Sequence, residues 1–275
     1  MDARRITSAD NPLVKTLIRL AGSSRERRKS ALCVLDGPHL VQAFVDTGGT
    51  AEHLVASDTG VANTEVRQLF DSAPARHRTI LSDRLFEQVA AVHTPVGILA
   101  CVAVPAMSGP PSQLGDCIML DGLQDAGNAG SLLRSAAAAG VRTVIASRES
   151  VFLWSPRVLR AAMGAHFNLS LFEGQTLEPI LSKVASSPTQ VIGTSGTGEI
   201  DLFDLDLRVP TIWIFGNEGK GIAPGLAALA THRARIPMAN GTESLNVGAA
   251  AAICLFEQVR QRRSKRSIAF GSLLV

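Results

Sequence analysis

Residues 117–147 place the strongest constraint on the fold. CIMLD (117–121) is a short apolar run of strand type, residues 129–139 are alanine-rich and helical, Gly140 stops that helix, and VRTVIAS (141–147) is a second apolar strand. Strand, helix and strand in succession make a βαβ unit, whose two strands must run parallel. A parallel sheet has to be covered on both faces, and the rest of the chain supplies the material. Further strands are expected at 189–194, 211–215 and 234–237, and Val247, Ala250, Ala251, Cys254, Leu255 and Gln258 mark one face of a long last helix. The expected class is α/β, with a mostly parallel sheet in the C-terminal part.

Upstream the pattern changes. VPAMSGPPSQLGD (104–116) carries three prolines and two glycines and reads as an interdomain linker. The expected division is a first domain over 1–105, a linker over 106–115 and a second domain over 116–275. Within the first, residues 11–20 and 38–47 have helical spacing, whereas 31–35, 53–56 and 97–104 look like short buried strands. With 46% apolar and 19% charged residues, the chain can bury a core in each part.

Composition removes several classes of function. The longest apolar runs, 96–104 and 249–256, fall short of the roughly 20 residues of a bilayer span. MDARRITSAD at the N-terminus has no apolar stretch behind its basic residues, so no secretory signal is expected and the assigned location is cytoplasmic. Cys33, Cys101, Cys117 and Cys254 are scattered in apolar surroundings without C-x-x-C spacing, as buried reduced thiols would be. His39, His53, His77, His93, His166 and His232 show no regular ligand spacing, so no metal is expected.

The net charge of +3 hides an asymmetry. Residues 1–30 hold eight basic against three acidic side chains and residues 257–275 five against one, around an acidic middle. Basic ends on such a body suit a polyanion, because Lys and Arg neutralise phosphates and release counterions; solvated chain ends would account for the same count.

Ligands of parallel α/β sheets bind beyond the carboxyl ends of strands, which directs attention to three loops. In LDGLQDAGNAGSLLRSAAAAG (120–140), Gly127, Asn128 and Gly130 open a helix that carries Arg134, a cation placed against the helix dipole. In IFGNEGKGI (214–222), Gly216, Glu218 and Gly221 follow an apolar strand, where glycine lets backbone approach a ligand. Neither G-x-x-x-x-G-K-[ST] nor a strand followed by G-x-G-x-x-G occurs, which removes the main nucleotide-loop readings. In RIPMANGTESLN (235–246), Ser244 and Asn246 stand where helix caps would. Each loop alone is equally open to a structural explanation.

In this order the three resemble the signature motifs of the SpoU/TrmH branch of the knotted SPOUT methyltransferases. Asp125, Asn128, Gly130 and Arg134 match the first motif, Gly216, Glu218 and Gly221 the second, and Ile236, Pro237, Met238, Ser244, Leu245 and Asn246 the third. Residues 6–37, less closely, are similar to the opening of the ribosomal-protein-like α/β domain that binds substrate in many members. Asp36 before Gly37 and Ala126 after Asp125 depart from the usual Glu and Pro without removing a needed group.

The resemblance implies a parallel sheet with a deep trefoil knot, a homodimer with sites at its interface, and transfer of a methyl group from S-adenosylmethionine to a ribose 2′-hydroxyl of RNA. Ribosomal 23S RNA is the favoured substrate, with tRNA, or a non-catalytic RNA-binding role on the same fold, as alternatives. By the same resemblance Asn128, Arg134, Glu218 and Asn246 are the expected catalytic set. Thr194, Gly216, Ile236, Met238, Ser244 and Leu245 are expected around the cofactor, and Arg25, Arg27, Arg28 and Lys29 against RNA.

Overall fold

A computed structural model describes residues 3–92, 94–184, 188–239 and 242–271, with side chains as far as 263. His93 and the side chains of the tail cations Lys265 and Arg266 therefore lie outside what is described. The chain forms two compact units: Met1–Ala106 with Trp154–Phe167, and Met107–Leu153 with Asn168–Val275.

The first unit runs β1 (Arg4–Ile6), α1 (Pro12–Gly22), α2 (Ser24–Ser30), β2 (Leu32–Asp36), α3 (Pro38–Asp46), β3 (Ala51–Ser57), α4 (Asp58–Ala62), α5 (Thr64–Ser72), β4 (Ala75–Leu81), α6 (Asp83–Val89) and β5 (Ile98–Ala103). Its mixed sheet has the order β1-β4-β3-β5-β2, with β5 antiparallel to both neighbours. Alternate residues Val34, Val55, Leu81 and Leu99 point to one face and meet Val14, Leu17 and Leu20 of α1. Asn11 opens α1 by accepting from the Leu13 N–H at 2.9 Å, with Pro12 at the first helical position, where its missing N–H costs nothing.

The second unit opens with β6 (Cys117–Leu120), α7 (Ala126–Ala139) and β7 (Thr143–Ser147), the βαβ unit expected from the sequence. The chain then lends α8 (Pro156–Ala162) to the first unit. There Phe167 packs on Phe44 at 5.3 Å between ring centroids, and Gly164, at φ +84°, lies so close to Ala43 that a Cβ would approach its methyl to 2.6 Å.

Returning to the second unit, the chain forms β8 (Ser170–Gln175), α9 (Leu177–Val184), β9 (Gln190–Thr194), β10 (Ile200–Asp201), β11 (Thr211–Phe215), α10 (Pro224–Ala227), β12 (His232–Arg235) and α11 (Val247–Gly271). All seven strands pair in parallel in the order β10-β12-β9-β11-β6-β7-β8. The central strands β6 and β11 are buried at every position, which is why they read as unbroken apolar runs. Relative to the expected strand at 234–237, β12 is shifted toward the N-terminus, so Ile236 and Pro237 stand in the loop beyond its carboxyl end.

Helix α11 packs along α7 and is tied to the sheet by a polar network. The Trp213 indole N–H donates to Gln258 at 2.7 Å, and Gln258 donates to Asp116 at 3.0 Å. Asp116 also accepts from the Thr211 N–H at 3.0 Å and from both terminal nitrogens of Arg262. Burial acts to raise the Asp116 pKa, but these donors outweigh it and hold the carboxyl below the usual range. All four cysteines are free and buried. No described helix is long and apolar enough to cross a membrane.

Candidate functional site

A cavity of about 690 Å³ opens beyond the carboxyl ends of β9, β11 and β12, within the second unit. Three loops wall it: residues 193–196, residues 216–222, and a third that contributes 233–236, 238 and 244–247.

The middle loop is built by glycine. A Cβ on Gly216 would come within 2.3 Å of the Gly221 carbonyl carbon and 2.4 Å of the Ile222 nitrogen, so only glycine lets the loop close on itself. Between them Asn217 and Gly221 exchange backbone hydrogen bonds of 3.0 and 2.9 Å. The Asn217 side chain accepts from Gly219 and Lys220 N–H groups, each at 3.0 Å, and donates to the Gly122 carbonyl at 2.8 Å. This turn aims Glu218 at the head of α7.

There the three motifs meet. Asp125 caps α7 by accepting from the Asn128 N–H at 2.7 Å. The Glu218 carboxylate accepts from the Asn128 side chain at 3.1 Å and from the backbone N–H groups of Asp125 and Gln124 at 3.1 and 3.3 Å. Asn246 donates to the Asn128 amide oxygen at 2.7 Å, while its own oxygen accepts from Gly248 and Ala249 N–H groups and so caps α11. The amide orientations are mutually consistent, each oxygen meeting a donor. Partial burial acts to raise the Glu218 pKa, but hydrogen bonds led by the one from Asn128 win, and the carboxyl lies below its usual range.

Thr194 closes another wall, its hydroxyl donating to the Ile214 carbonyl at 2.9 Å. Gly196 passes so near the third loop that a Cβ would meet the Glu243 carbonyl oxygen at 2.9 Å. Asn128, Thr194, Gly216, Glu218, Ile236, Met238, Ser244, Leu245 and Asn246 all line the cavity. Leu202, Ile222, Ala250 and Cys254 add an apolar surface, and burial pushes the Cys254 thiol up to about 12, which leaves it a neutral wall group. The sequence marked Ala250 and Cys254 only as part of one helix face and did not assign any of the four to a cavity, because nothing in a lone apolar side chain distinguishes cavity wall from core.

Arg134 is not part of this lining. It is exposed on α7, and six helical residues carry it well off the Asn128 face. Of the residues expected to face RNA, Arg25, Arg28 and Lys29 are exposed, but Arg27 is only 4% exposed. Its guanidinium donates to the carbonyls of Leu20 and Ala21 and to the Ser24 hydroxyl, closing the C-terminus of α1. Arg27 is therefore a helix cap, a role that its place in the basic stretch 25–29 concealed. His166 is buried against Trp154, and among the described residues no group of three or more His, Cys, Asp or Glu side chains is placed to hold a metal ion.

Known proteins resemble both parts of the chain. The model of the SpoU rRNA Methylase family matches residues 116–256, and that of the MRM3-like substrate binding domain matches residues 11–100. An uncharacterized tRNA/rRNA methyltransferase of Synechocystis is 34% identical over 95% of both chains. The 23S rRNA (uridine(2479)-2′-O)-methyltransferase of Streptomyces viridochromogenes is 28% identical over 96% of this chain and 95% of its own. Among solved structures, the SpoU methyltransferase AviRb of the same organism, in complex with the cofactor AdoMet, superposes with a TM-score of 0.83 at 25% identity, covering 92% of this chain and 99% of that one.

Proposed function

The chain belongs to the SpoU rRNA methylase family, and we propose that it transfers a methyl group from S-adenosylmethionine to a ribose 2′-hydroxyl of 23S ribosomal RNA. The observation that carries the proposal is the hydrogen-bonded chain Glu218–Asn128–Asn246, which joins the three motifs at the mouth of one cavity. The cavity suits the co-substrate: its volume is within the range of about 300–1,000 Å³ common for such sites. Gly216 and Gly196 let the loops that wall it pack tightly on neighbouring backbone, and Ile222, Leu245 and Ala250 offer apolar surface for a flat ring.

When bound, S-adenosylmethionine supplies a methyl carbon on a positively charged sulfur, which the attacking 2′-oxygen takes as the carbon–sulfur bond breaks and the sulfur becomes neutral. The chain's own contribution is alignment, which supplies several kcal/mol when the reacting atoms are held in line. Thr194, Gly216, Ile236, Met238, Ser244 and Leu245 hold the co-substrate. Asn128, Glu218 and Asn246 orient the ribose: their mutual bonds fix the amides, and the second N–H of each amide and the second lone pair of the Asn128 oxygen remain for the sugar. Arg134 binds the phosphate beside the target and stabilises the developing alkoxide. A guanidinium keeps its proton and has no lone pair to act as a base, and the depressed Glu218 carboxyl is a weak acceptor, so the departing proton goes to solvent.

Because Arg134 does not line its own chain's cavity, we assign it to the site of a partner copy in a homodimer. The trefoil knot is part of the same proposal, supported by β12 pairing with β9 while the helix that follows it packs on α7. Exposed Arg25, Arg28 and Lys29 on the first unit serve to grip RNA, and the assigned location is cytoplasmic. The deciding experiment is transfer of labelled methyl to separated 23S rRNA and tRNA, followed by mapping of the position that resists alkaline cleavage. Incorporation into tRNA alone would replace the substrate, and failure to bind S-adenosylmethionine in calorimetric titration would leave only RNA binding.

A further inference from the structure

Three described cations line the cavity: Lys220, Arg233 and Arg235. Arg235 is bonded to Asp201 and to the Gly198 carbonyl, and Arg233 faces Glu199 at 3.6 Å. Lys220 has no carboxylate partner among the described residues, although Glu218 is two positions away. That carboxylate is turned the other way, toward Gln124, Asp125 and Asn128.

The backbone under Lys220 is braced. Its N–H is held by the Asn217 side-chain oxygen, the turn is closed by the Asn217–Gly221 pair, and the Asn217 amide nitrogen pins the turn to Gly122. A free ammonium thus projects from a fixed turn beside the residues assigned to the ribose. An uncompensated charge on a rigid support at a cavity mouth is placed to meet an arriving anion, and a lysine, with three donors and a compact charge, suits a phosphate oxygen.

We infer that Lys220 contacts a backbone phosphate of the RNA next to the target ribose. This rests on reading the cavity as the methyl-transfer site. The competing anion there is the carboxylate of S-adenosylmethionine, and the two sources are separable. With the full chain and an rRNA fragment, Lys220→Ala is expected to raise the KM for RNA about fivefold, the upper range for an exposed charge pair. The salt dependence of RNA binding, measured without turnover, should lose about 0.7 to 1 from its log–log slope. Calorimetric Kd for S-adenosylmethionine stays as in the wild type, and Lys220→Arg restores both RNA readouts. An unchanged KM and slope would overturn the assignment. So would a weakened cofactor Kd with RNA binding intact, which would hand Lys220 to the cofactor carboxylate. Absence of methyl transfer by the wild type would count against the proposed reaction, while the turnover-free salt slope still decides the role of Lys220.

Discussion

Asn246 presents its amide oxygen to the first turn of α11 and its nitrogen to Asn128, so substitution can remove one role at a time. Asn246→Ala loses both and is expected to cost about 1 kcal/mol of stability through the missing cap. Asn246→Asp keeps the capping oxygen and loses the donor; methyl transfer should fall about tenfold or more while the melting temperature holds, the value of one lost hydrogen bond near the reaction. Equal activity in the Asp variant would remove Asn246 from the aligning set. Glu218 adds a pH signature. Its folded pKa is depressed, so the carboxylate link is complete above the ordinary Glu value of about 4.3 and is lost as the pH falls through the lower folded value. Amide exchange at Gln124 and Asp125 should therefore stay protected down to that range and be released beneath it, and release at neutral pH would contradict the network.

At the scale of elements, the attachment of α11 to the sheet rests on Asp116. Asp116→Asn removes the charge that Arg262 faces and is expected to cost about 1–2 kcal/mol in denaturant unfolding, since a charged hydrogen bond is lost but most of the packing stays. An unaltered midpoint would reduce the network to a surface ornament. The same scale shows what could be read from the chain. β6, β7 and β11 were legible because burial on both faces makes a parallel strand uniformly apolar. β4 was not: Arg76, His77 and Arg78 stand in a row in ARHRTIL, which breaks both the apolar run and the alternation by which a strand is read. β1 and β10, at three and two residues, are too short for any period to show. The cavity residues were legible through the order of three motifs, whereas Lys220 depends on which neighbouring cations already have partners, information that exists only in three dimensions. Arg27 illustrates the converse: a basic run looks like one surface, but one of its members faces inward to satisfy the end of α1.

For the whole molecule, the location of Arg134 makes a quantitative demand on assembly. If a partner's Arg134 completes each site, mixing two inactive variants, Arg134→Ala and Glu218→Gln, should regenerate about a quarter of wild-type activity, because half of the dimers are mixed and each of those has one intact site. A site complete within one chain would regenerate none. The loan of Trp154–Phe167 to the first unit has a separate consequence. The chain contains two tryptophans, and one falls in each unit: Trp154 beside His166 in the first, Trp213 bonded to Gln258 in the second. Each compact half thus carries its own buried fluorophore, and replacing either one by phenylalanine leaves an optical record of the other half's unfolding alone, with no added label.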